Sequence, residues 1–226
     1  MNSPRTFNQI KPDLISMGFA FYGDSSQVAA DPERTLLQIV ELSQTERKTF
    51  VMLLAWLDKA RALIHVERLK TLSAALSQGA IPVLGALCLK QVRAGDRRFS
   101  SLVTVSKDRT RHPQVFSGDS FQSDEYMISK HGLDDEFSEF GLQTARIAPA
   151  DEKKILTWEG ILSQNAWLRM RALMGANFRA DMAYLMSSGR AGNANQAMRV
   201  LGCNLETAYR LWKSLSLAPD LSKLAG

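Results

Sequence analysis

Cysteine is scarce in this chain: 226 residues carry two thiols, Cys88 and Cys203. Both lie in apolar helical or turn contexts, so no disulfide framework is expected and a reducing compartment fits. Histidine is nearly as rare. His65, His112 and His131 show no zinc-ligand spacing, and neither cysteine is near one in sequence. Long apolar runs are missing too. VMLLAWL, from Val51 to Leu57, is far too short to span a bilayer, and the opening MNSPRTFNQIKPDL lacks the apolar centre of a signal peptide. A soluble cytoplasmic protein without a membrane partner is expected. Gly18 to Gly23, GFAFYG, has neither the Lys-Ser/Thr tail nor the glycine spacing of a phosphate loop. Ser100, Ser101 and Ser106 sit in no hydrolase elbow. No catalytic centre, no metal site and no cofactor is therefore expected, and the chain is read as a non-enzyme.

Charge is present and unevenly spread. The net charge is +5, compatible with an anionic partner but too mild to establish one. Its distribution says more. Residues 90–111 carry seven basic and two acidic side chains, residues 112–152 two and nine, and residues 153–226 ten and four. A basic C-terminal region thus follows an acidic stretch.

Helical periodicity dominates the first ninety-odd residues. Residues 1–30 look irregular, broken by Pro4, Pro12, Gly18 and Gly23, with Ile15 to Tyr22 either a short strand or a packed segment. Leu36, Leu37 and Val40 mark a helix over Glu33 to Glu41. Ser43 and Glu46 have capping-box spacing, ahead of a buried helix through Phe50, Leu53, Leu54 and Leu57. Further helices run over His65 to Leu76 and from Pro82 to Val92. FSSLVTV, Phe99 to Val105, favours β structure through Val and Thr. Residues 106–123 read as a loop and Tyr126 to Lys130 as a helical turn or short strand. Leu133, Phe137 and Phe140 are helically spaced. Pro149 and Asp151 interrupt the chain before helical pattern resumes at Ile155.

The last fifty residues are the most specific. FRADMAYLMSSGRAGNANQAMRVLGCNLETAYRLWKSL, Phe178 to Leu215, contains three short helical patterns, separated by Gly189 to Gly192 and by Gly202. Gly202 supplies a positive-φ turn, and Asn204 is placed to cap the third helix. With Ala208, Leu211 and Leu215 inward, Asn204, Leu205, Glu206, Tyr209, Arg210 and Lys213 face outward. Arg210 and Tyr209 suit base or phosphate contacts. Glu206 suits either a cytosine amine or a first-turn carboxylate favoured by the helix dipole. Asn195, Gln196 and Arg199 on the second helix are candidates to position phosphates, with Arg190 adding charge nearby. RADMAYLMSSG and NANQAMRVLGCNLETAYRLWKSL resemble the helix-turn-helix of winged-helix regulators of the MarR or ArsR kind, over about Arg179 to Leu215. Ala197 before Met198 reverses the small and large residues of that pattern, and Ser216 to Gly226, with Pro219 inside, leaves no room for a wing. The resemblance implies major-groove reading of double-stranded DNA by a homodimer.

Two other groups of charge invite a use. Lys90, Arg93 and Arg97 share a helix face and, with Arg98, form a second candidate phosphate patch, extended by Lys107, Arg109 and Arg111. The bland alternative is a solvated helix end. Asp134, Asp135, Glu136 and Glu139 read as a solvated acidic face, a divalent-cation site or a segment that masks a basic surface. The expected fold is mainly α. A helical body over 1–150 comprises helices over about 33–95 and an irregular or β-containing segment over 96–150. Linker helices and a wingless helix-turn-helix follow over 151–226. The expected function is transcriptional regulation through DNA binding, with the body free for a protein partner. The alternative is an adaptor whose three-helix end docks to protein.

Overall fold

The computed structural model describes residues 5–43, 47–109, 125–146 and 154–217. Their backbone is mainly helical, and among them no β-strand forms. Helix α1 spans Phe7–Ser16. The Thr6 backbone N–H donates to Gln9 Oε1 at 2.8 Å, half of a capping box, and Ile10 and Leu14 are buried one turn apart. Residues 5–30 are therefore not simply irregular: Pro12 lies inside α1 and obscures its signal. Of the suggested strand at Ile15–Tyr22, only an isolated bridge between Phe19 and Ile155 forms.

Helix α2, Pro32–Leu42, starts with proline where the missing N–H costs nothing, and the Asp31 carboxylate accepts the Arg34 backbone N–H. Helix α3, Arg47–Ala60, buries Phe50, Leu53, Trp56 and Leu57. The capping box expected at its start rests on Glu46, outside the described residues. Helix α4, Val66–Leu72, runs into a 3₁₀ turn, and α5, Ala80–Arg93, carries Pro82 in its first turn.

FSSLVTV is not a strand. Phe99 closes a 3₁₀ turn and Ser100–Arg109 forms helix α6. Asp96 accepts the Arg98 backbone N–H and starts the turn. Phe99, Leu102 and Ser106 then lie on one buried face at helical spacing, packed along α5. Tertiary burial overrides the β preference of Val and Thr. The helical alternative holds for α7, Glu125–His131. The expected loop over 106–123 begins inside α6, and its residues 110–123, with Arg111 and His112, lie outside the described residues, as do Pro149 and Asp151.

Helix α8 is a single turn, Asp135–Ser138, capped by Asp134. Phe137 and Phe140 anchor it in the core. The Phe140 ring fills the space over Gly85, where a Cβ would come within 2.2 Å of a ring carbon. The chain continues through α9, Trp158–Gln164, α10, Ala166–Met174, α11, Phe178–Ser187, α12, Ala194–Leu201, and α13, Leu205–Ser216. One apolar core runs from Ile10 to Leu168, and a second joins Trp167 and Met170 to α11, α12 and α13. The two apolar cores meet within α10, where Leu168 belongs to the first and Trp167 and Met170 to the second. No helix among the described residues is long and apolar enough to cross a membrane.

Candidate functional site

Three asparagines open the three C-terminal helices. Asn177 Oδ1 accepts from the backbone of Arg179 and Ala180 at the start of α11. Asn193 accepts from Gln196 N at 3.0 Å ahead of α12, and Asn204 accepts from Thr207 N at 2.7 Å ahead of α13. Each satisfies a backbone donor that the first turn leaves open. Gly202 ends α12 at φ 71°, a conformation costly for any residue with a Cβ. Ala194, Ala197 and Leu201 of α12 and Ala208 and Leu215 of α13 are buried against Ala180, Met182, Ala183 and Leu185 of α11. The small alanines let the helices approach closely, while Leu211 and Trp212 pack at the edge.

This packing leaves the polar residues of both helices outward. Asn195, Gln196 and Arg199 of α12 are exposed, as are Asn204 and, on α13, Leu205, Glu206, Tyr209, Arg210 and Lys213. Gln196 Oε1 accepts the Gly192 backbone N–H at 2.7 Å, which orients its amide. Among the described residues Arg199, Arg210 and Lys213 make no ion pair. Leu205 and Tyr209 are 49% and 52% exposed, one turn apart in the same face. Arg190 departs from expectation. Its guanidinium lies over the rings of Trp167 and Tyr184 and donates to the Ala29 carbonyl at 3.1 Å, so it turns toward the body.

The second basic patch is not open. Lys90 Nζ sits 2.8 Å from both Asp134 and Glu136. Arg93 pairs with Glu136 and Glu139, and Lys107 with Glu139. Arg98 pairs with Asp96 and donates to the Arg61 carbonyl, and Arg109 donates to the Ser73 carbonyl. Arg97 is exposed. Asp134, Glu136 and Glu139 of the acidic segment thus lie against the bases of α5 and α6, while Asp135 is 72% exposed. Among the described residues no set of three metal-ligating side chains converges. Burial would raise the Glu136 carboxyl, but hydrogen bonds from Lys90 and Arg93 hold it down to about 2.

Behind the C-terminal face lies a buried charge network that the sequence pattern did not reveal. Arg171 of α10 donates through both terminal nitrogens to Glu33, at 2.6 and 2.7 Å, and through Nε to Asp181 of α11 at 2.6 Å. Trp167 Nε1 donates to the same Asp181 oxygen, and His65 Nδ1 stands 2.8 Å from the other. Arg68 of α4 holds Asp31 and Glu33. Its remaining donors reach the carbonyls of Val200 and Leu201 at 3.1 Å each. Those carbonyls end α12, where a helix has unsatisfied acceptors and the negative end of its dipole. Burial opposes charge on Asp181, yet the Arg171 guanidinium and His65 hold its carboxyl well below the usual carboxylate range. Burial likewise opposes charge on Arg68, and Asp31 with Glu33 keeps it firmly protonated. The body therefore grips the last turn of α12, just before the Gly202 turn into α13. The residues involved are far apart in the chain, and the available signal was only the placement of Arg171 and Asp181 on otherwise apolar faces.

Burial pushes both thiols above their ordinary value, so neither is poised as a thiolate nucleophile. No protein-family model, curated protein or solved structure matches this chain.

Proposed function

We propose that α12, the Gly202 turn and α13 form a helix-turn-helix that binds double-stranded DNA, with α13 in the major groove, in a non-enzymatic cytoplasmic regulator. One observation carries the reading. Arg199 on α12 and Arg210 and Lys213 on α13 stand exposed and unpaired among the described residues, with Asn195, Gln196 and Tyr209 exposed on the same two helices. Such side chains suit backbone phosphates and base edges. Arg210 and Tyr209 are the proposed base-reading residues. Asn195, Gln196, Arg199 and Lys213 position phosphates. Asn204 caps the reading helix, and Leu205 suits a thymine methyl. A homodimer on a two-fold site would supply the footprint that one small module lacks. The likeness to MarR or ArsR regulators belongs to this proposal.

Fluorescence anisotropy against random duplex DNA at two salt concentrations tests it. The full chain is expected to bind weakly, with affinity falling steeply as salt rises. Replacing Arg210 and Lys213 together by Ala should weaken binding about tenfold or more, and lower the salt slope by about 1 through loss of the Lys213 phosphate contact. Unchanged affinity and slope would overturn the proposal. The half-exposed Leu205 and Tyr209 favour a second reading, a protein-docking adaptor, which absence of DNA binding at low salt would support.

A further inference from the structure

Two adjoining cavities, of about 380 and 240 Å³, lie where α2 meets the end of α4 and the α11–α12 loop. They share Arg5, Arg34 and Gln38, so they form one groove with two ends. Arg190 joins Arg5 and Arg34 at the first end. Leu37, Leu72 and Leu76 line the other.

The cationic end has donors to spare. The nearby carboxylates are committed: both oxygens of Asp31 accept from Arg68, and Asp13 accepts from Arg5 at 2.8 Å. Arg34 is left with a single contact, its Nε 3.3 Å from Asp31, and its side chain is half exposed. Arg190 uses only Nη1, on the Ala29 carbonyl and the Tyr184 hydroxyl. Guanidinium forks with unused N–H groups match a carboxylate or phosphate geometrically. At the far end, Glu41 is turned onto the backbone and hydroxyl of Ser77, which leaves the leucines as the wall an occupant would meet. The combined volume is that of a small-molecule cleft.

We propose that this groove binds a small amphiphilic anion: a carboxylate or phosphate head held by Arg34 and Arg190, with Arg5 beside them, carrying an apolar chain or ring that lies on Leu37, Leu72 and Leu76. A duplex backbone fits less well, since it has nothing to set against a concave leucine wall. Leu72 also reaches to 3.8 Å from where a Cβ on Gly202 would stand. The apolar end of the groove is thus continuous with the packing of the α12–α13 turn. The site is independent of whether α13 binds DNA.

Calorimetric titration of the full chain with octanoate, octyl phosphate, octanol and inorganic phosphate tests the proposal. Octanoate or octyl phosphate should bind once per chain, and the tighter of the two identifies the preferred head. Octanol and inorganic phosphate should each bind at least about tenfold more weakly, because each offers only half of the match. Arg34→Ala should lower affinity for the amphiphile about tenfold. Gln38→Glu, which sets a carboxylate between the two ends, should lower it several-fold while sparing octanol, and serves should the first variant misfold. Equal binding of octanol and octanoate would overturn the proposal, as would wild-type affinity in folded forms of both variants. So would failure of both amphiphiles to bind; if Arg34→Ala then also weakens duplex binding, these arginines are a phosphate-contact surface instead.

Discussion

Two clusters of opposite charge, built from the same side-chain chemistry, hold different parts of this molecule in different ways. In one, Glu33, Arg68, Arg171 and Asp181 are completely buried between the body and the C-terminal helices. In the other, Lys90, Arg93 and Lys107 meet Asp134, Glu136 and Glu139 at a surface where Arg93 is 45% and Glu139 36% exposed. Water can replace a lost partner around Arg93, Lys107 and Glu139 of the second cluster, though not at Asp134, which is buried, and nowhere in the first. The comparison separates contact from consequence: similar distances imply large mutual dependence in the interior and little at the surface.

The sharpest way to break this comparison is Arg171→Met. It fills a similar volume but leaves Glu33 and Asp181 buried without their main counter-charge. Loss of one member of a buried pair costs about 3–5 kcal/mol, read as a lower urea midpoint for unfolding. A loss below about 1 kcal/mol would put the two clusters on the same footing.

Acid titration tests the same contrast with a somewhat smaller effect. The Asp181 carboxyl is depressed in the folded protein, so its stabilising contribution is fully present above the unfolded carboxylate value of about 4. The contribution is lost as pH falls toward the lower folded value. Stability should therefore decline steadily below about pH 4. Asp181→Asn should cost about 2–3 kcal/mol at neutral pH and flatten that decline, whereas an unchanged acid profile would show that Asp181 does not carry it. The smallest effect belongs to the surface. Glu139→Gln, which touches only the exposed Arg93 and Lys107, should cost about 1 kcal/mol or less, and added salt should shrink the difference. Thermal melts of the pair at low and high salt would check both points.

Much of the helical framework was legible before the fold was seen, because apolar residues recur at helical spacing. Phe50, Leu53 and Leu57 on α3 and Ala208 and Leu215 on α13 are buried as their phase requires. Asn204 also caps α13. The failures have specific causes. Val and Thr in FSSLVTV argued for a strand, while Phe99, Leu102 and Ser106 carried the helical spacing that burial against α5 selected. Pro12 hid α1. The outward residues of α12 and α13 followed from helix phase, but the destination of Arg190 did not, since its partners Ala29 and Trp167 come from other segments. The buried network was illegible for the same reason: Glu33 and Arg68 look like ordinary surface charge, and Arg171 and Asp181, though on otherwise apolar faces, do not reveal their partners until the chain brings them together.

The hold of Arg68 on the final carbonyls of α12 bears on modularity. The C-terminal helices look like a cassette that could be cut away or grafted onto another scaffold. Yet the body supplies Arg68, His65 and Glu33, and a fragment beginning near α10 would keep Arg171 and Asp181 while forfeiting those complements. Transplantation would have to carry α2 and α4 along, so the unit of inheritance for this end of the protein is larger than its three helices.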